Sequence, residues 1–315
     1  MSNNRELADL ISQAGGTSEG VLAGRRNLIL NGGFDVWQRG TSFSAGGYTA
    51  DRWAAPNPGT LSVTKLYDST LGLNYLTNTN SGGWGIYTRL EAKDVQHLRA
   101  GTVVTFSLYT TVASGDKLRY KANTGTKLEA GLTTIETIGS WYRKSVTITV
   151  TSEMETLFDF DQYLNILYEP FVAANTPYSV TGVQLELGSV ATPFEHRSYG
   201  EELALCQRYY QKSYDINTVP ATVTNTGIHY WCSNGNNNSI ATSTSVLQVM
   251  MRAAPTVTLY SPVTGTSAKM WCDDTSADEG GQTYTASARC FTFRTTAGST
   301  TDARYKVHYT ADAEL

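Results

Sequence analysis

Charge is scarce in this chain. Only 17% of its 315 residues are Asp, Glu, Lys or Arg, and the net charge of −4 comes without any Lys/Arg stripe. Duplex binding needs clustered cations that neutralise phosphates, so nucleic acid is excluded as the main partner. No apolar run approaches the ~18 residues of a membrane-spanning helix, and the first residues carry no signal-peptide pattern. The expectation is a protein that is not inserted in a membrane and is not exported by that route. The four cysteines, Cys206, Cys232, Cys272 and Cys290, are widely spaced and form no C-x-x-C pair. That argues against a disulfide framework or a zinc site and for free, mostly buried thiols in a protein made in a reducing cytoplasm. The histidines, His97, His196, His229 and His308, fall in no metal-binding spacing and read as surface or structural residues. No Walker or dinucleotide glycine fingerprint is present, so no cofactor is expected. No fixed-period repeat, collagen run or heptad stretch is visible, so no fibrous shaft is encoded.

What the chain does contain is Thr, Ser, Gly and Tyr in many short alternating runs. These predict an all-β protein: two β-sandwich (jelly-roll-like) domains with a short N-terminal helix and a short inter-domain helix. The boundaries read as an N-terminal helical anchor and linker over 1–24, a jelly-roll sandwich over 25–198, a helical junction over 199–207 and a C-terminal sandwich over 208–315. Strands are expected at 61–66, 85–90, 103–111, 144–151, 163–168 and 180–187, then at 209–214, 227–232, 246–251, 256–260, 268–272, 288–295 and 305–309. In the 103–111 run Val104, Phe106 and Leu108 share one face, with Thr105, Ser107 and Tyr109 opposite. Trp53 and Trp141 adjoin strands and are expected in the core.

The two domains meet in TGVQLELGSVATPFEHRSYGEELALCQRYYQKS, from Thr181 to Ser213. Val183, Leu185 and Leu187 alternate with Gln184 and Glu186 as in a half-buried strand. Gly188 and Pro193 end it, and Ser198 with Glu201 has capping-box spacing for a brief helix. At the other end of the chain, Leu7, Leu10, Ile11 and Ala14 form one apolar stripe of a helix over 2–16. So short a helix is marginal alone and must pack on something. It is either a frayed start resting on its own domain or a segment docking to a larger particle.

The blocks VQLELGS, ATPFEHR and EELALCQRYY, with NLILNGGF, WQRG, ADRW, MRAAPTV and the terminal HYTADAEL, resemble tail-fibre and related virion proteins of tailed bacteriophages, including those of cyanobacteria. The resemblance covers most of the chain. It implies a carbohydrate-module-like jelly roll followed by a C-terminal domain, in a virion structural protein made in the host bacterial cytoplasm. It also implies a homotrimer whose partners are other tail or virion proteins and a host cell-surface glycan. A structural adaptor or capsid-decorating fibre without a ligand remains an alternative, as does a glycan-cleaving spike.

Candidate chemistry is sparse, and a non-enzyme is expected. Gly16 to Gly20 matches G-x-S-x-G, but a helix precedes it and a linker follows, the reverse of a nucleophile elbow. The pairs Glu153/Glu155 and Asp159/Asp161 would sit on one strand face about 6.5–7 Å apart, a separation glycoside hydrolysis permits. Any acidic alternation gives the same distance. Asp273, Asp274, Asp278 and Glu279 with two glycines read as an acidic loop, either solvated or able to hold a hard cation. The remaining signal is aromatic. Sugar rings stack on Trp and Tyr while short amides fix their hydroxyls. Trp84 beside Asn80, and Tyr230 and Trp231 beside Asn234 and Asn236, have that mix and are the candidate glycan-binding residues.

Overall fold

Strand alternation decides which side chains meet, and in the first half of the chain it builds two facing sheets. The computed structural model describes residues 26–56, 61–122, 128–152, 154–155, 163–233, 242–295 and 303–315. The expected N-terminal helix with Leu7, Leu10, Ile11 and Ala14, and the G-x-S-x-G stretch, lie outside the described residues. The chain divides into two compact units. Among the described residues no helix is long and apolar enough to cross a membrane.

The first unit comprises, among the described residues, 26–35, 41–198 and Leu315. Its seven-stranded antiparallel sheet runs β1 (Ser42–Phe43), β4 (Leu61–Asp68), β5 (Leu73–Asn80), β13 (Tyr178–Leu187), β7 (Val103–Thr110), β11 (Trp141–Thr149), β10 (Thr133–Ile138). Its six-stranded sheet runs β2 (Gly47–Tyr48), β3 (Trp53–Ala55), β6 (Ile86–Glu91), β12 (Tyr163–Glu169), β8 (Lys117–Ala122), β9 (Leu128–Gly131). A single turn of helix, α1 (Ala92–Val95), follows β6. This is a jelly-roll β-sandwich. Its interior holds Val104, Phe106 and Leu108 from one sheet and Ile86, Leu164 and Ile166 from the other. The six strands expected in this unit are present. β5 is a further strand, and it carries Asn74, Asn78 and Asn80. In the structure Asn78 Nδ2 donates to the buried Tyr178 hydroxyl at 2.8 Å, so the asparagine is satisfied inside a strand.

Charge also enters this core. Lys144 lies opposite Leu108 on the inward face of β11, where its ammonium pairs with Asp116, both side chains being almost wholly buried. The Tyr168 hydroxyl donates to Asp116 Oδ2 at 3.2 Å and bonds the Thr110 hydroxyl at 2.8 Å. Burial and the neighbouring Asp116 push the Tyr168 hydroxyl pKa well up, which keeps it a neutral donor.

Sequence blocks roughly 150 residues apart interlock here. Asn27 Oδ1 accepts from the backbone of Ile29 and Leu185 at 2.9 and 3.1 Å, and its Nδ2 donates to Val183 O at 3.0 Å. Glu195 accepts the Arg26 and Asn27 amides, while Arg197 donates to Asn27 O and Ile29 O. Gly32 must be glycine, since a Cβ there would stand 2.1 Å from Val183 O. β13 is not the half-buried strand expected from its alternation. Gln184 and Glu186 are buried as well, because residues 188–195 fold back over that face: Thr192 N donates to Glu186 at 2.9 Å and Glu195 N to Gln184 at 2.9 Å.

The second unit is Val36–Gly40 with Tyr199–Glu314. Residues 36–40, read from the sequence within 25–198, group here with the second unit. Gln38 Nε2 donates to Tyr210 O at 2.8 Å and Lys212 Nζ to Gln38 O at 2.6 Å, while Arg39 stacks 3.7 Å over the Tyr210 ring and pairs with Asp312 at 3.1 Å. After α2 (Tyr199–Gln207) come β14 (Tyr210–Lys212), β15 (His229–Cys232), β16 (Thr242–Val246), β17 (Thr256–Tyr260), β18 (Lys269–Cys272), β19 (Ala277–Ala286), β20 (Cys290–Thr295) and β21 (Arg304–Asp312). β21 organises this sheet, pairing with β14 and β17 along its last residues and with β15 and β18 along its first. Leu259, Met270, Phe291, Phe293 and Val307 form the core.

Two expectations fail in this unit. The strand placed at 246–251 is Thr242–Val246 instead, since the polar Thr/Ser run, not the apolar one, pairs with β20. The acidic loop is mostly strand: Asp278, Glu279 and both glycines lie in β19. Gly281 is there for space, as a Cβ would meet Met270 Cγ at 2.8 Å. Cys206 and Cys272 are buried, Cys290 is half-buried and Cys232 is exposed; all four are free.

His308 on β21 is fully buried. Its ring stacks on Tyr214 at 3.8 Å, Nε2 donates to Thr224 O at 3.0 Å, and Nδ1 therefore accepts from the Ser213 hydroxyl at 2.8 Å. Burial lowers its pKa below the usual value. A histidine held neutral in the fold stabilises it fully above the unfolded pKa, and that stabilisation is lost as pH falls through the folded value. Urea midpoints of the second unit should thus drop between pH 7 and pH 5, and His308→Gln should lessen the drop. An equal drop in the variant would assign the dependence elsewhere.

Candidate functional site

The alternation that sends Ile86, Thr88, Leu164, Ile166 and Leu118 inward sends their neighbours to the outer face of the six-stranded sheet. Register places Tyr48 opposite Ala54, Ala54 opposite Tyr87, Tyr87 opposite Leu167, Leu167 opposite Arg119 and Arg119 opposite Glu129. These six residues form one register row across all six strands, about 24 Å long at the usual strand spacing; Ala54 is fully buried and the Tyr48 hydroxyl donates to Leu315 O at 2.9 Å, so the accessible part runs from Tyr87 to Glu129. A second row begins beside it with Arg89 opposite Asn165. The Arg89 guanidinium lies 5.3 Å from the Tyr87 ring centre and 4.7 Å from that of Tyr163. Its Nε donates to Asn165 Oδ1 at 3.1 Å.

Position and charge are both fixed on this face. The Arg89 carbonyl accepts a bond from the buried Arg52, anchoring β6 from below. Towards β9, Lys117 pairs with Glu129 at 2.9 Å, and Arg119 pairs with Glu129 at 3.1 Å and with Glu169. The hydrogen bond and charge of Lys117, then those of Arg119, lower the Glu129 pKa. That end is a balanced ionic cluster. The arrangement combines flat aromatic surface with directional donors and acceptors on a rigid sheet, which suits reversible binding of a polar, ring-containing ligand.

The residues singled out from sequence fall elsewhere. Trp84 is 46% exposed on the turn before β6, and that turn is braced. Asn80 Oδ1 accepts from Gly82 N and Trp84 N at 3.1 and 2.8 Å, while Trp84 O accepts from Asn80 Nδ2 at 2.8 Å and from Tyr178 at 3.2 Å. Asn80 thus builds the turn and is not offered to a ligand. Tyr230 is 48% exposed in the second unit. Trp231, on the other face of β15, is half-buried, stacks on Tyr305 at 5.2 Å and meets Phe293 edge-on at 5.0 Å. Asn234 and Asn236 lie outside the described residues. Trp53 and Trp141 are buried.

The acidic groups are individually engaged. Asp273 pairs with Lys306 at 2.8 Å and Asp274 with Arg304 at 3.0 Å. Asp278 accepts from Thr264, and Glu279 accepts from Tyr305 at 3.0 Å. Among the described residues no group of three or more His, Cys, Asp or Glu is placed to hold a metal ion. Of the carboxylate pairs, Glu153, Asp159 and Asp161 lie outside the described residues. Glu155 accepts from Ala100 N at 2.7 Å and Arg99 at 3.1 Å. The Ala100 bond, with Arg99 adding to it, lowers its pKa, the opposite of what a general acid needs.

Tyr87, Arg89, Tyr163 and Asn165 were not foreseen as a site, although both strands were. The available signal was the outward set of those strands, Y-x-R in β6 and Y-x-N-x-L in β12.

No protein-family model matches the sequence, and no curated protein matches it. Similar solved structures include the CBM22-1 xylan-binding domain from Paenibacillus barcinonensis Xyn10C, at 18% identity over 48% of this chain and 94% of that one, with a TM-score of 0.30. The C-terminal family 22 carbohydrate binding module of Clostridium thermocellum Xyn10B matches at 13% identity over 50% and 99%, TM-score 0.32. An apo cyclase from Fischerella sp. matches at 17% identity over 53% and 98%, TM-score 0.37.

Proposed function

We propose that the protein is a glycan-binding virion component, a tail fibre or fibre-like part of a tailed bacteriophage that contacts the host cell surface through the first unit. The observation that carries the binding half is the half-buried row of Tyr87, Leu167 and Arg119 with Arg89 bracketed by Tyr87 and Tyr163. Aromatic faces take the C–H surface of a sugar, and the amide and guanidinium groups orient its oxygens. The virion half rests on the sequence blocks that resemble phage fibre proteins. In that setting three copies on one particle would raise weak single-site binding by roughly 10²–10⁴. Docking would fall to the segment before residue 25.

A glycan array with the full chain tests the binding half. Retained host-surface glycans are expected, with a loss of about 30-fold in the double variant Tyr87→Ala/Tyr163→Ala if the two rings act as hot spots. No retained glycan on any array would favour a structural joint over a receptor-binding protein. Labelling the chain on purified particles tests the virion half, and its absence from them would remove that setting.

A further inference from the structure

Among the described residues, the carboxylates on the outer face of the six-stranded sheet already have cations: Glu91, the next outward residue after Arg89 on β6, pairs with Lys93 at 2.6 Å. Lys117 and Arg119 share Glu129 and Glu169, so charge cancels at the β8–β9 end. Arg89 has aromatic rings on two sides and, among the described residues, no carboxylate at ion-pair distance. Of its five N–H donors, the described residues engage Nε alone, through Asn165 Oδ1. That bond also fixes the Asn165 amide, because its oxygen is the acceptor and its Nδ2 is left as a donor. The pair therefore presents the Arg89 fork and an amide NH2, donors only, between the Tyr87 and Tyr163 rings.

A neutral sugar hydroxyl donates as well as accepts, and a donor-only pair uses half of that capacity. A carboxylate only accepts, and its two oxygens match the planar guanidinium fork. Desolvation of Arg89 by the flanking rings strengthens such a contact. We infer that the glycan bound on this face is acidic, with the carboxylate of a uronic or sialic acid unit received by Arg89 and Asn165. This inference rests on the glycan-binding reading above.

The test uses the full chain and matched pairs of oligosaccharides: galacturonate, glucuronate and sialate oligomers, each with its carboxyl-methyl ester. Esterification removes the charge and keeps the ring. Binding measured by titration calorimetry should favour the acid member of at least one pair by about tenfold or more, as a charge-assisted bond requires. Arg89→Gln should erase that preference. Asn165→Asp, which sets a carboxylate beside the fork and removes the amide donor, should do the same, so the result does not depend on one variant folding. Glycans bound without preference for any acid member, or a preference that survives in both variants, would overturn the inference and leave glycan binding standing. Failure to bind any glycan, neutral or acidic, would overturn both.

Discussion

Lys144→Met should cost the first unit about 3–5 kcal/mol, a large share of a domain's stability. The methionine fills similar volume, so the loss is electrostatic. It strands the Asp116 carboxylate, fully buried beside the Tyr168 hydroxyl, without its only cation among the described residues. Adding Asp116→Asn to the variant removes the stranded charge and should recover a substantial part. Hydrogen exchange at β7, β11 and β12 amides reads this unit separately from the second, for which one global transition would not serve. A single variant losing under about 1 kcal/mol, or a double variant no better than the single, would mean the pair is not a buried ionic contact.

Trp53→Ala should be nearly as damaging, at about 3–5 kcal/mol. The Trp53 ring is 5.2 Å from that of Phe34, and its Nε1 donates to Asn31 O at 3.0 Å. Asn31 and Phe34 both hold left-handed backbone, with φ of 54° and 53°. That conformation is costly for an aromatic residue and persists only where the surroundings enforce it. Removing the ring leaves a cavity, takes from the buried Asn31 carbonyl one of its two donors, Phe34 N at 3.1 Å remaining, and leaves a turn without its support. Trp84→Ala is the control, since its ring stands on the surface and its turn is built by Asn80 and Tyr178; a change near 0.5 kcal/mol or less is expected there. Equal effects of the two substitutions in urea unfolding would refute the distinction between keystone and surface tryptophan.

The Trp53 site belongs to the same logic as the sequence blocks. NLILNGGF, ADRW and the VQLELGS–ATPFEHR stretch close on one another through Asn27, Asn31, Glu195 and Arg197. WQRG closes on Tyr210, Lys212 and Asp312, and Arg252 of MRAAPTV reaches Ala313 O at 3.2 Å. The motifs that made the chain recognisable therefore specify how each unit is locked. Tyr87, Arg89, Tyr163 and Asn165 stand outside them. A resemblance carried by locking residues speaks to the scaffold and leaves the ligand to be read from the sheet face.

Local pattern alone determined the all-β class, most strand positions and the buried state of Trp53 and Trp141, because period-2 alternation and turn chemistry act over a few neighbouring residues. Only the tertiary structure decided that Val36–Gly40 packs with the second unit, that Gln184 and Glu186 are covered, that Asp278 and Glu279 lie in a strand, and that a lysine sits in the core. It alone set Arg89 between two tyrosines from different strands. Each of those outcomes depends on which strands become neighbours and in what register, and that choice is made by long-range pairing, to which a run of six residues carries no reference.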